Sequence, residues 1–154
     1  MTRHFAYGAN MDRAAMRQRC PGARSVGPAV LEGHRFTIGL DGWASVAPRA
    51  GETVHGVLWQ LTPRDVAALH AFELLHQGLY DVHYLVVRHG SHGLRAMTYV
   101  LRRLGTGRPR PGYIEAIAAA ARSWELPEPY IRGIERWSVA RRMGPHDAGM
   151  GAGV

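Results

Sequence analysis

The sequence predicts an α+β fold in which a small, mixed, mostly antiparallel, barrel-like sheet is flanked by short helices. Segments with strand periodicity outnumber helical ones, and they cluster without the regular alternation of strand and helix that a doubly wound sheet needs. The chain has 154 residues, a length typical of one domain, and 46% of them are hydrophobic. We expect a single domain over residues 1–140 and a Gly-rich, disordered tail over residues 141–154.

The first half of the chain reads mainly as strands. Gly33 interrupts a long, partly alternating stretch, which indicates a bent strand or a hairpin. Residues 48–51 read as a turn between two shorter strands, and residues 11–19 read as a helix ended by Pro21. The predicted strands are residues 3–7, 26–40, 43–47 and 54–61.

The second half alternates between helices and one hairpin. Thr62 is a good N-cap and Pro63 suits the first helical position, which predicts a helix over residues 63–72. Residues 80–88 and 95–101 alternate well around a Gly-containing turn, so they predict a β-hairpin. Apolar residues at helical spacing predict two further helices, around residues 114–121 and 131–137.

Composition narrows the classes of function. The formal net charge is +7, carried by 19 arginines and no lysine. This excess of positive charge is typical of a nucleic-acid binder. The sequence shows no recognition helix and no aromatic ribonucleoprotein pattern, however. A GC-rich coding bias explains the many arginines equally well. No apolar run approaches a membrane span and the start lacks a signal-peptide layout, so we expect a cytoplasmic protein. The single cysteine, Cys20, excludes an internal disulfide framework.

The most informative motif is the turn Tyr7-Gly8-Ala9-Asn10-Met11, which joins a short apolar strand to a helix. A glycine at φ > 0 would align successive backbone N–H groups, and the first turn of a helix leaves further N–H groups unpaired. The turn therefore predicts a cradle for an anion. Asn10 is also a candidate cap for the helix that follows.

Glu73 is the candidate acid–base group. It is an isolated carboxylate at the end of an apolar helix, between Phe72 and Leu74. Burial there would disfavour its charged form and raise its pKa toward neutrality, which suits a proton shuttle, although a surface glutamate at a helix end is the simpler alternative. The nine histidines show no paired-ligand spacing beside a carboxylate or cysteine, so we expect no metal site.

Taken together, these segments resemble the gamma-glutamylcyclotransferase family. Residues 5–11 are similar to its substrate loop, in which Tyr-Gly-Ser-Asn is usual, and residues 54–59 are similar to the strand before its catalytic helix. Residues 69–73, with the Gly-Leu-Tyr at 78–80, resemble its catalytic segment, and residues 111–114 and 126–130 resemble its C-terminal helices. The resemblance covers about residues 4–138.

The sequence also departs from the family pattern at three positions. Ala9 stands where the family often has serine, His70 replaces the usual aspartate, and Leu74 stands where glycine is frequent. These departures leave the type of reaction in place. They put the preferred substrate in doubt.

The resemblance implies an enzyme that cyclises a γ-glutamyl amide to 5-oxoproline and releases an amine, without metal or other cofactor. It implies that Glu73 acts as base and then as acid, and that backbone amides of residues 8–11 bind a carboxylate or the oxyanion. Tyr7 would open the loop. Three further tyrosines would line the pocket and bind substrate, or pack as ordinary half-buried aromatics: Tyr80, Tyr113 and Tyr130.

Other readings stay open. The same scaffold suits a non-catalytic module that binds a small anion or an acyl-amino acid, although such a module gains nothing from Glu73. The expected partner is a small-molecule γ-glutamyl substrate, with no nucleic acid and no membrane, and the chain is a monomer or a homodimer. The leaving amine stays undetermined: an amino acid, a lysine-derived amine or a biosynthetic intermediate.

Overall fold

The computed structural model describes residues 1–73, 77–103 and 105–143, with side chains up to residue 138. Within these ranges a sheet of five strands is accompanied by four α-helices, and a 3-10 turn at Ala9–Met11 follows the first strand. The strands are β1 Thr2–Ala6, β2 Arg24–Ile38, β3 Ala44–Leu61, β4 Tyr80–His89 and β5 His92–Leu101. The helices are α1 Arg13–Arg19, α2 Pro63–Phe72, α3 Tyr113–Ser123 and α4 Glu128–Met143.

The sheet closes into a barrel, which confirms the predicted fold class. Its strand order is β1-β3-β2-β4-β5, and the paired neighbours along that order are antiparallel. Closure comes from β1 and β5, which pair in parallel at His4 and Met97. Closure leaves neither β1 nor β5 as an open edge, and it brings the ends of β1 and β5 to one site.

β2 and β3 are longer than the sequence predicted. Residues 43–47 and 54–61 belong to one strand, because β3 runs through the expected turn and stays paired with β2 on both sides of it. The pairing passes from Glu32↔Thr53 to His34↔Pro48, so residues 49–52 bulge out opposite Gly33, which has a φ of +72°. The Gly and Pro signals thus marked a bulge rather than a strand end.

The first helix also differs from its prediction. Asp12, rather than Asn10, is the N-cap of α1, and its Oδ1 accepts hydrogen bonds from Ala14 N at 2.9 Å and Ala15 N at 3.3 Å. The 3-10 turn stands between β1 and this cap. Because Asp12 satisfies the first amides of α1, the side chain of Asn10 is free for another contact.

The other helices confirm their predictions. α2 begins with a full capping box between Thr62 and Asp65, with Pro63 at its start. α3 and α4 pack on each other, and Arg122 of α3 joins Glu128 and Glu135 of α4 at 3.0 and 2.9 Å. α4 continues to Met143, three residues past the expected domain end at 140, and residues 144–154 of the predicted tail lie outside the described residues.

No helix within the described ranges has the length and apolar character needed to cross a bilayer.

A glycine in β3 tests the barrel packing. A Cβ on Gly56 would lie 2.3 Å from the carbonyl oxygen of Ala6 and 2.8 Å from Phe5 Cζ, so Gly56→Ala forces β1 and β3 apart. We expect a loss of about 3 kcal/mol in unfolding free energy, measured by urea titration. Gly93→Ala, whose Cβ would meet only Val86 Cγ1 at 3.4 Å, should change stability by less than about 1 kcal/mol. Equal effects of the two substitutions would contradict this account.

Candidate functional site

The turn after β1 keeps part of the predicted anion cradle. The N–H of Met11 donates to Gly8 O at 3.0 Å, so this amide is consumed by the 3-10 turn and the prediction that it belongs to the cradle is wrong. The amides of Gly8, Ala9 and Asn10 have no acceptor among the described residues. Gly8 has a φ of −131°, so the cradle does not depend on the positive φ that we expected there.

Glu73 lies directly after α2, where its N–H donates to Leu69 O at 2.9 Å. Its side chain is half-buried, and Oε1 accepts a hydrogen bond from Asn10 Nδ2 at 3.3 Å. Burial raises the pKa of this carboxyl group to about 7, although the Asn10 hydrogen bond and the charge of Arg19 both act to lower it. Leu74, the expected apolar neighbour on the other side, lies outside the described residues.

The turn and Glu73 face one cavity of about 210 Å³. Most of its wall is aromatic or aliphatic, and Glu73 is the only acidic residue among the described ones that line it. The lining residues are His4, Phe5, Ala6, Tyr7, Gly8, Ala9, Asn10, Trp43, Ala44, Phe72, Glu73, Leu79, Tyr80, Tyr99 and Tyr113. Residues that are far apart in sequence therefore meet around a space large enough for a small molecule.

The hydroxyl groups of the cavity tyrosines have fixed directions. Tyr7 donates to Tyr99 O and Tyr80 donates to Ala44 O at 2.8 Å, so both protons are used inside the protein. Tyr113 instead accepts from Ala44 N at 3.0 Å. Because a tyrosine hydroxyl both accepts and donates, the proton of Tyr113 stays available to a ligand. Burial raises the pKa of Tyr113 to about 12, so the proton is present at neutral pH.

Two of the predicted site residues lie away from the cavity wall. Met11 is fully buried, and its carbonyl accepts from Trp124 Nε1 at 2.7 Å. The ring of Tyr130 packs on His55 with the ring centroids 4.8 Å apart. Tyr130 lies near the start of α4, and the cavity is reached by Tyr113 of α3 instead.

Sequence reasoning missed several residues of the wall. His4 is buried, its Nδ1 is 2.9 Å from Met97 O, and burial lowers the pKa of its ring to about 4, so it is neutral. Tyr99 meets His70 Nδ1 through its hydroxyl at 2.7 Å. A histidine inside an apolar strand was the one available signal for His4, whereas the place of Tyr99 follows from β-barrel closure, which no local pattern encodes.

No group of three His, Cys, Asp or Glu side chains suited to hold a metal ion occurs within the described part of the chain.

Comparison with known proteins gives a family match for the sequence and similar structures for the fold. A model of the AIG2-like family matches residues 53–134, more than half of the chain. A gamma-glutamylcyclotransferase from Mus musculus is 25% identical over 139 residues, which cover 82% of this chain and 73% of the mouse protein. A solved structure of a gamma-glutamyl cyclotransferase superimposes with a TM-score of 0.80 at 22% identity, covering 87% and 86% of the two chains. An AIG2-like protein from Mus musculus gives a TM-score of 0.57 at 18% identity, covering 74% and 82%.

The raised pKa of Glu73 makes stability depend on pH in a defined direction. Between about pH 4.5 and about pH 7 the folded chain holds a proton on Glu73 that the unfolded chain has released. The native chain therefore loses stability relative to Glu73→Gln as pH rises through this window. We expect urea unfolding to show a larger advantage for Glu73→Gln at about pH 8 than at about pH 5.

The matched control is Glu52→Gln, at an exposed glutamate that pairs with Arg49 at 3.1 Å on the surface. The stability of Glu52→Gln relative to the native chain should not increase as pH rises through this window. A stability difference between Glu73→Gln and the native chain that stays constant with pH would show that the carboxyl group is solvated like an ordinary glutamate.

Proposed function

We propose, from the fact that this chain belongs to the AIG2-like, or gamma-glutamylcyclotransferase-like, family, that it cyclises a γ-glutamyl amide to 5-oxoproline and releases an amine. The observation that carries the proposal is the placement of Glu73. Its half-buried carboxyl group, with a pKa of about 7, faces the same cavity as the free amides of residues 8–10. A group with that pKa accepts and returns protons readily near neutral pH.

The chemistry needs only one proton shuttle. The Glu73 carboxylate takes a proton from the substrate α-ammonium, and the free amine attacks the carbonyl carbon of the γ-amide. A tetrahedral intermediate with an oxyanion forms. Glu73 then returns the proton to the leaving nitrogen and takes the surplus proton from the attacking nitrogen. The C–N bond breaks as the oxyanion re-forms a carbonyl, and 5-oxoproline and an amine are released. The released amine takes up the last proton, which restores the Glu73 carboxylate. No atom or electron is left over, so the step needs no co-reactant.

The cavity supports this reaction in two ways. The free amides of Gly8, Ala9 and Asn10 suit an anionic oxygen, which is the α-carboxylate of the substrate or the developing oxyanion. The mostly aromatic wall offers an apolar surface on which the methylene groups of a folded glutamyl chain would pack. Holding the amine near the carbonyl carbon in this way lowers a barrier by roughly 7–11 kcal/mol in well-oriented systems.

Substitution of Glu73 tests the proposal directly. Glu73→Gln keeps the shape of the side chain and an acceptor for Asn10 but cannot carry the proton, so 5-oxoproline release should fall by about 10²–10⁴-fold. The substrates are a panel of γ-glutamyl amino acids and γ-glutamyl amines. Glu52→Gln, at the exposed position used above, should keep the native rate.

Two outcomes would contradict the enzyme. Equal turnover by Glu73→Gln and the native chain would remove Glu73 from the chemistry. Tight binding of a γ-glutamyl compound with no release of 5-oxoproline from any of the panel would favour a non-catalytic binding module on the same scaffold.

Tyr113 is the tyrosine expected to donate to substrate, because the protons of Tyr7 and Tyr80 are committed inside the protein. Tyr113→Phe should lower kcat/KM by about tenfold, the effect of one lost hydrogen bond of about 1.4 kcal/mol. Tyr84→Phe, on the exposed outer face of β4, is the matched control and should leave kcat/KM unchanged. An unchanged kcat/KM in Tyr113→Phe would assign that ring to packing alone.

A further inference from the structure

Arg19, the last residue of α1, lies beside the catalytic candidate without lining the cavity. Its guanidinium donates from Nη1 to Asn10 Oδ1 at 2.7 Å, and Asn10 Nδ2 donates onward to Glu73 Oε1 at 3.3 Å. The three side chains therefore form one chain of hydrogen bonds, from a cation through a neutral amide to an acid.

We propose that Arg19 is a positioning residue for Glu73, because its guanidinium holds the Asn10 amide with the amino end turned toward the carboxyl group. The catalytic consequence of this arrangement rests on the function proposed above. The positioning itself does not depend on it and can be measured in the absence of substrate.

Donor and acceptor chemistry gives the amide one orientation. A guanidinium has five N–H donors and no acceptor, so only the oxygen of Asn10 can face it. The amino end of Asn10 is then left for Glu73. If the amide were reversed, its amino group would face the guanidinium and its oxygen would face the carboxylate, and both contacts would be lost. An ionised neighbour makes the first bond strong, so it dominates the choice.

A second contact holds the guanidinium itself in place. Arg19 Cζ lies 3.7 Å from the centroid of the Phe72 ring, and Phe72 is the residue directly before Glu73. A guanidinium over a ring face still has N–H groups at the rim of its own plane, and Nη1 of Arg19 reaches Asn10. Arg19 thus joins the end of α1 to the end of α2 at the point where Glu73 begins. Lysine has no planar group that repeats this stack.

The positive charge of Arg19 also favours the ionised carboxyl group. The titratable groups that interact with Glu73 from the other elements around it are tyrosines, whose protons are held at neutral pH because burial raises their pKa: Tyr7, Tyr80, Tyr99 and Tyr113. His70 lies on α2, one turn before Glu73. Burial lowers the pKa of its ring, so the ring is neutral at neutral pH. Asp12 and Cys20 interact with Arg19. Within the described residues, Arg19 is the cation whose charge lowers the pKa of Glu73.

The test is a side-chain carboxyl NMR titration of the full chain, in which the Glu73 signal is identified by its loss in Glu73→Gln. Arg19→Gln should raise the titration midpoint of Glu73 by about 1 pH unit. Arg19→Lys keeps the charge without the stacked fork and should give a smaller rise. Arg17→Gln removes an equal charge from the same final turn at an exposed position, and should leave the midpoint unchanged.

A double-substitution cycle separates positioning from charge alone. In an Asn10→Ala background the amide is gone, so Arg19→Gln should move the Glu73 midpoint less than it does in the native chain. Equal shifts in the two backgrounds would overturn the proposal. So would an unchanged midpoint in folded Arg19→Gln, or an equal shift in Arg17→Gln. Thermal unfolding of each variant reports whether it is folded.

If Arg19→Gln does not fold, Arg19→Lys replaces it in both backgrounds. A Glu73 midpoint in Arg19→Lys equal to that of the native chain, with Asn10 present, would overturn the proposal. Activity separates this inference from the proposed function. When a γ-glutamyl compound is turned over, the acidic limb of its kcat profile should move with the Glu73 midpoint in Arg19→Gln. When none is turned over, the proposed function fails and the titration still decides the role of Arg19.

Discussion

The hydrogen bond between Asn10 and Glu73 joins two segments that are 63 positions apart, and the architecture of the barrel makes it possible. β3 ends at Leu61, opposite Thr2 at the start of β1. α2 then has ten residues, which span about 15 Å, and β1 has five residues, which span about 16 Å. A helix that begins beside the start of β1 and runs back along the barrel therefore ends level with the turn after β1. Glu73 meets that turn because the two lengths match.

Local signals in the sequence predicted the elements that carry the site. Thr62, Pro63 and Asp65 define the start of α2 through capping chemistry that needs no tertiary contact, so the helix before Glu73 was predictable. Burial at the end of an apolar helix was expected to raise the pKa of Glu73, and burial is the cause of the raised pKa in the structure. The turn at residues 48–51 shows the limit of this reasoning, because Pro and Gly mark a departure from regular pairing and do not say whether the strand resumes.

Contacts that depend on barrel closure were beyond local prediction. His4 and Tyr99 reach the cavity because β1 and β5 close the sheet, and the alternation of β5 alone does not indicate which of its faces meets Glu73. The family resemblance supplied Tyr80 and Tyr113 as lining residues but also Met11 and Tyr130, which the fold uses elsewhere. A sequence motif predicts which residue stands at a position. Whether that residue lines the cavity depends on how the flanking helices pack.

The functional groups of this cavity are those that the fold itself does not use. Ala44 is an example. Its carbonyl accepts the hydroxyl proton of Tyr80, so that proton is used inside the protein. Its amide donates to the hydroxyl oxygen of Tyr113, so the proton of Tyr113 stays free. The 3-10 turn likewise consumes the amide of Met11 and leaves those of residues 8–10. Buried polar groups are costly when they stay unpaired. The free amides of residues 8–10 and the half-buried acid converge on one small cavity, so they are the groups with which the proposed substrate would pair.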